Sequence, residues 1–170
     1  MSDILIHDYR PGDIGRVVEL HGRYYAATWG FGAAFEATVA AELGHLMAEF
    51  DGRRDGFWTA WRGDDFAGGI SIHGRDADRA GVRLRFFIVE PDQQGHGVGE
   101  ALMRRAMGFC DAAGVERVHL WTFKGLDAAR RLYERHGFRL DLEHEDNQWG
   151  RAMLEQKFVR ENPGARLDSA

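Results

Sequence analysis

A strand-like run, VRLRFFIV at 82–89, is stopped by Pro91 and followed by QGHGVGEALM, in which Gly95, Gly97 and Gly99 lead straight into an apolar helical pattern. No other stretch constrains the fold as tightly. Glycine at alternate positions marks a backbone that turns sharply or approaches something closely. The helix beginning at Gly97 reads through to Ala113, with Val98, Leu102, Ala106, Cys110 and Ala113 on one stripe. A strand, a glycine-rich turn and a helix N-terminus together make a ready anion site. The first N–H groups of a helix have no partner within it, and its dipole is positive at that end.

The segments around this unit alternate in type. ILIHDY (4–9) alternates as a strand does, and Asp13 begins a helix that buries Ile14, Val17, Val18 and Leu20. YYAATWGFG (24–32) reads as an aromatic, glycine-rich bend, and 35–50 as a second helix. Residues 57–74 read as a hairpin turning at RGDD. A strand at 118–123 precedes a short helix at 126–136, which Gly137 closes, and FRLDLEHE and WGRAMLEQKFV follow as two strands. The order implies an α/β protein with an antiparallel start, and the helical crossover should make 82–89 and 118–123 parallel. With 170 residues we expect one domain over 1–160 and a flexible tail over 161–170.

Charge and cysteine content narrow the function. A net charge of −5, with no basic block, argues against a nucleic-acid surface. The one cysteine, Cys110, permits no intrachain disulfide and sits where core packing is expected. There is neither a signal-peptide core nor an apolar run long enough to span a bilayer, so a cytoplasmic protein without a membrane partner is expected.

Three uses of the glycine loop compete. A phosphate-binding P-loop needs Lys and Ser or Thr after its last Gly, where this chain has Glu100 and Ala101. A dinucleotide fingerprint needs Gly where Glu100 stands. The pattern Q/R-x-x-G-x-G/A is matched by Gln94-Gly95-His96-Gly97-Val98-Gly99. That match, together with AARRLYERHGFRL at 128–140, resembles the GNAT family of N-acetyltransferases. HDYRPGDIGRVVELHGRYYA, LWTFKGLDAARRLYERHGFRL and Trp149-Gly150 further resemble the acetyltransferase half of bacterial fusions with a MarR-type regulator, over most of 3–159.

The resemblance implies the GNAT (acyl-CoA N-acyltransferase) fold, a mixed central sheet of about seven strands flanked by about four helices. It implies acetyl-CoA as co-substrate, no metal, and a primary amine of a small molecule or peptide as acceptor, attacked directly in a ternary complex. The pyrophosphate would lie on the N–H groups of Gln94, Gly95, His96, Gly97, Val98 and Gly99, with Glu100 just inside the helix. Ile88 and Val89 would flank the pantetheine arm, with a backbone N–H near Val89 as oxyanion donor. Ala129 belongs to the second half of the cofactor site, and Tyr133 stands where the family tyrosine meets the leaving sulfur. A phenol (pKa ~10) giving its proton fully to a thiolate (~8.5) goes uphill by roughly 2 kcal/mol, so a hydrogen bond to the thiolate is the safer role.

The chain departs from the family at Leu126, where many members carry an Asn that touches the cofactor; Thr122 or backbone is expected to replace it. No glutamate stands on the strand before the loop. Instead Arg83, Arg85, Phe87 and Val89 share one face by period two, and one of the arginines is expected to meet an anionic group on the acceptor. Base candidates are His21, Tyr24, Tyr25, Glu36, His119 and His144. The aromatic set Tyr24, Tyr25, Trp29, Phe31 and Phe35 is a candidate acceptor pocket suited to an ammonium. A non-catalytic acyl-CoA-binding sensor is the competing function, and the C-terminal edge strands leave room for a homodimer.

Overall fold

The computed structural model describes residues 3–75, 77–147 and 151–166. Trp149-Gly150, part of the likeness to the regulator fusions, lies outside them, as do 167–170 of the expected tail. The elements are β1 (Ile4–Asp8), α1 (Asp13–Trp29), α2 (Ala33–Ala48), β2 (Gly56–Arg62), β3 (Asp65–His73), a single turn α3 (Ala77–Ala80), β4 (Val82–Val89), α4 (Val98–Ala112), β5 (Arg117–Phe123), α5 (Asp127–Arg135), β6 (Arg139–Asp146) and β7 (Met153–Glu161). They form one seven-stranded sheet in the order β1-β2-β3-β4-β5-β7-β6. Among these strands β4 and β5 make the one parallel pair, as the helical crossover requires.

α4 closes one face. Its Val98, Leu102, Met103, Ala106, Met107 and Cys110 pack on Trp58, Ile70, Leu84, Val118 and Phe158. Cys110 is fully buried in this core, and burial pushes its thiol up to about 12, so it is an inert packing residue. α1 and α2 supply Val17 and Leu43 to a smaller cluster with Phe57, and Phe35 and Val39 to an aromatic one.

Two expectations are corrected. Residues 24–29 are helical: YYAATW contains no breaker, and α1 ends only where Gly30 turns left-handed (φ 72°) and the Phe31 N–H reaches back to the Tyr25 carbonyl. β4 does not keep period two. Ser71 pairs with Arg85 but Gly69 with Ile88, so β4 carries one extra residue, and Phe86 there has φ 51°. The bulge puts Phe87 and Val89 with Val82 and Leu84 on the α4 face and turns Phe86 toward α1 and α2. Phe87 and Val89 therefore do not share a face with Arg83 and Arg85. β7 runs to Glu161, and the Asn162 N–H donates to the Glu116 carbonyl at 2.8 Å.

Candidate active site

β4 and β5 share two register pairs, Val82 with Val118 and Arg83 with His119, and then part. A cavity of about 710 Å3 occupies the opening, between the residues from Leu84 to Val89 on one strand and Leu120 to Thr122 on the other. One half is walled by the 94–100 loop and α5, the other by α1.

The loop half is built by backbone. The Gln93 N–H donates to the Glu90 carbonyl and that of Gln94 to Pro91; the next N–H with a protein acceptor is that of Ala101, to Gly97. Between them, the N–H groups of Gly95, His96, Gly97, Val98, Gly99 and Glu100 have no protein acceptor among the described residues. Gly95 (φ 77°) and Gly97 (φ 88°) are left-handed, and this curls the loop into a cradle of donors at the start of α4. Gly99 has a different reason to be glycine. A Cβ there would lie 3.2 Å from Leu132 and 3.4 Å from Phe87, so it allows α5 and β4 to close on α4.

Gln94, Gly95, Gly97, Gly99, Glu100, Ile88, Val89 and Ala129 all line the cavity. His96 and Val98 do not; the His96 side chain is exposed and that of Val98 is buried in the core. Two cationic residues that the sequence reading passed over, Arg131 and Arg135, also line it. They stand one turn apart on α5, and that i, i+4 spacing within ARRLYER was the available signal. Leu126 is the N-cap of α5, makes no capping bond and faces the cavity, as does Thr122.

Tyr133 reaches the cavity from α5 with its ring enclosed by Phe87, Phe138 and Phe158, centroids 6.0–6.1 Å away. Burial pushes its phenol well above the ordinary value of ~10. The hydroxyl makes no hydrogen bond among the described residues, so it presents a proton that is held firmly and can be donated in a hydrogen bond.

The α1 half is built by side chains. His21, Tyr24 and Tyr25 line the cavity; the other base candidates, Glu36, His119 and His144, do not. The His144 Nε2 instead lies 3.4 Å from Glu155, and the ring is set edge-on to Trp121. His21 is 6% exposed, and its Nδ1 lies 2.7 Å from the Val17 carbonyl. Burial lowers its pKa to about 4, only partly offset by that bond. The aromatic-pocket expectation is corrected: Trp29, Phe31 and Phe35 pack with Phe123 and Val39 into a core and do not line the cavity. Arg85 does line it, lies over the Phe86 ring at 4.7 Å and is ion-paired to Glu42 of α2. Arg83 does not.

The sequence profile of the acetyltransferase (GNAT) family matches residues 16–138, which takes in most of α1, the loop, and α5 through Phe138. The chain belongs to the GNAT family of acetyltransferases.

Mycothiol acetyltransferases are among its curated relatives. That of Geodermatophilus obscurus is 33% identical over 87 residues, covering 49% of this chain and 28% of its own length. That of Beutenbergia cavernae is 46% identical over 61 residues, covering 36% and 20%. The chain thus spans less than a third of their length. Among solved structures, yncA of Salmonella typhimurium, described as an acetyltransferase with its cofactor acetyl-CoA, superposes with TM-score 0.72 at 16% identity over 93% of both chains. A spermidine N-acetyltransferase variant of Vibrio cholerae gives 0.70 at 14%, over 98% and 99%. At such identities these structures show the fold. Among the described residues of this GNAT-family chain, no helix is long and apolar enough to cross a membrane.

Proposed function

We propose that this acetyltransferase acts on nitrogen, moving an acetyl group from acetyl-CoA to a primary amine of a small molecule or peptide by direct attack within a ternary complex. The observation that carries the reading is a run of six N–H groups without a protein acceptor among the described residues, four of them on residues (Gly95, Gly97, Gly99 and Glu100) that line the same cavity as Tyr133 and the unpaired edge of β4. Those features fit acetyl-CoA: donors for a diphosphate, a free strand edge for an amide-bearing arm, and a phenol for a thiolate. When bound, acetyl-CoA supplies an acyl group activated as a thioester.

In this reading the backbone from Gly95 to Glu100 binds the diphosphate, with Gln94 at its rim and Arg131 and Arg135 adding charge. Ile88, Val89 and Ala129 flank the arm. An N–H near Val89 stabilises the developing oxyanion, and Tyr133 donates a hydrogen bond to the leaving sulfur. The high phenol pKa favours that bond over full proton transfer. The acceptor enters from the α1 side, between Tyr24, Tyr25 and Arg85. The proteins it resembles are named for molecules as different as mycothiol and spermidine, so the acceptor is left at the level of a primary amine. The finer likeness to regulator-fused acetyltransferases, a single domain over 1–160 and a cytoplasmic setting remain part of this proposal.

Thermal unfolding with acetyl-CoA, CoA, NAD and ATP in parallel tests it. Either CoA species at ~100 times its dissociation constant should stabilise the fold by about 2.7 kcal/mol, with no response to NAD or ATP. Tyr133→Phe should keep that stabilisation and lose amine-dependent CoA release. Stabilisation by NAD or ATP instead would refute the reading. A CoA response with no amine-dependent release in the unmodified protein would favour the sensor.

A further inference from the structure

We propose that the His21 imidazole receives the attacking amine: Nε2 accepts a hydrogen bond from the amine N–H and turns the nitrogen lone pair toward the acyl carbon. The proposal rests on the N-acetyltransferase reading above. It concerns the side of the cavity that is lined by no carboxylate.

The tautomer comes first. Nδ1 lies 2.7 Å from the Val17 carbonyl, one turn back on α1, and a carbonyl can only accept. Nδ1 therefore carries the hydrogen, and Nε2 of the neutral ring is a bare acceptor. Orientation is fixed next. The ring lies parallel to Tyr25 (3° between planes) and edge-on to Phe86 (78°), the bulged residue of β4 beside the opening. Access follows. His21 lines the cavity, and Nε2 makes no hydrogen bond among the described residues.

Charge points the same way. The acids lining the cavity are Glu100 and Asp127, both in first turns of helices on the loop side, and Glu100 is held by His136 at 3.0 Å. The α1 side presents no carboxylate. Burial keeps the imidazole neutral, so it remains an acceptor at ordinary pH. As the C–N bond forms, the nitrogen becomes more positive and its N–H a stronger donor. The bond to Nε2 is then stronger in the transition state than in the ground state, which is the condition for accelerating the reaction.

Two measurements test this. In protein labelled with 15N-histidine, at pH 7 with CoA bound, His21 should show protonated Nδ1 and bare Nε2, and glucosamine, spermidine, tryptamine and an N-terminal alanyl peptide should be screened for one that moves the Nε2 resonance. With an amine that drives CoA release, His21→Ala should lower turnover about 10- to 100-fold, leave acetyl-CoA affinity within twofold, and be partly rescued by His21→Gln, whose Oε1 can accept. A protonated Nε2, an Nε2 resonance that no amine moves, or full turnover in His21→Ala would overturn the proposal. So would a Gln variant no better than Ala. Failure of the unmodified protein to bind acetyl-CoA would instead strike the underlying reading.

Discussion

The two halves of the cavity are made of different material. The loop half takes its anion donors from backbone: N–H groups aimed by two left-handed glycines and the start of a helix. The α1 half is side chain: a tautomer set by one carbonyl, a phenol pair, and a guanidinium held by a residue 43 positions away. Backbone sites need specific φ values and so leave a glycine signature that local sequence displays. Side-chain sites need burial and long-range partners, which local sequence does not display. The contrast can be broken at either end.

The largest expected effect is on the side-chain half. His21 has a folded pKa of about 4 against an unfolded value of 6.5. Between those values the unfolded chain holds the extra proton, so stability falls as pH falls. The stabilisation is fully present above pH ~6.5 and is lost toward pH ~4, about 3 kcal/mol in all, as 1.36 kcal/mol per unit gives. Denaturant unfolding of the unmodified protein and His21→Gln across that range should diverge by this amount. Parallel curves would mean that water reaches His21 freely.

Next comes a split within the glycines. Gly97→Ala forces a side chain into φ 88° with no steric clash nearby, its closest neighbour being 3.7 Å away. It should distort the donor cradle and weaken acetyl-CoA binding about tenfold, with strain of roughly 1–2 kcal/mol. Gly99→Ala meets Leu132 and Phe87 at ordinary helical φ. It should cost about 1 kcal/mol of stability by overpacking while shifting acetyl-CoA affinity less. Calorimetric titration and unfolding of both variants check this. Equal losses of affinity would mean that the two glycines serve one purpose.

These glycines also show what was legible. GHGVG announced the turn, the helix start and the donor cradle, and the strand–helix–strand order announced the parallel pair. The division of labour between Gly97 and Gly99 was hidden, because only three-dimensional packing brings Leu132 against α4. Phe86 was hidden too: RFFIV reads as unbroken period two, and a bulge is one extra residue that alternation cannot register. Three of the five aromatics expected in a pocket lie in the core, since the same rings serve either place and only packing separates them. His21 was visible as a histidine four residues after Val17, but so were other base candidates. Burial and access to the cavity single it out.

The smallest expected effect tests the acceptor side through Arg85. The pattern raised it as an anion partner, and the fold gives it one already, Glu42, whose side chain is half exposed. An ion pair with that much solvent contributes little to stability, so Arg85→Ala should barely change unfolding. It should still raise the KM of an acceptor bearing a carboxylate, by about fivefold, because the guanidinium over Phe86 faces the cavity. The KM for acetyl-CoA should stay as it is, since Arg85 lies on the α1 side. Glu42→Gln sharpens the test. It frees the guanidinium from its internal competitor and should lower the same KM slightly, the opposite sign from Arg85→Ala. If both substitutions raise it, the ion pair acts as a unit that shapes the wall, and the anion on the acceptor has no part in recognition.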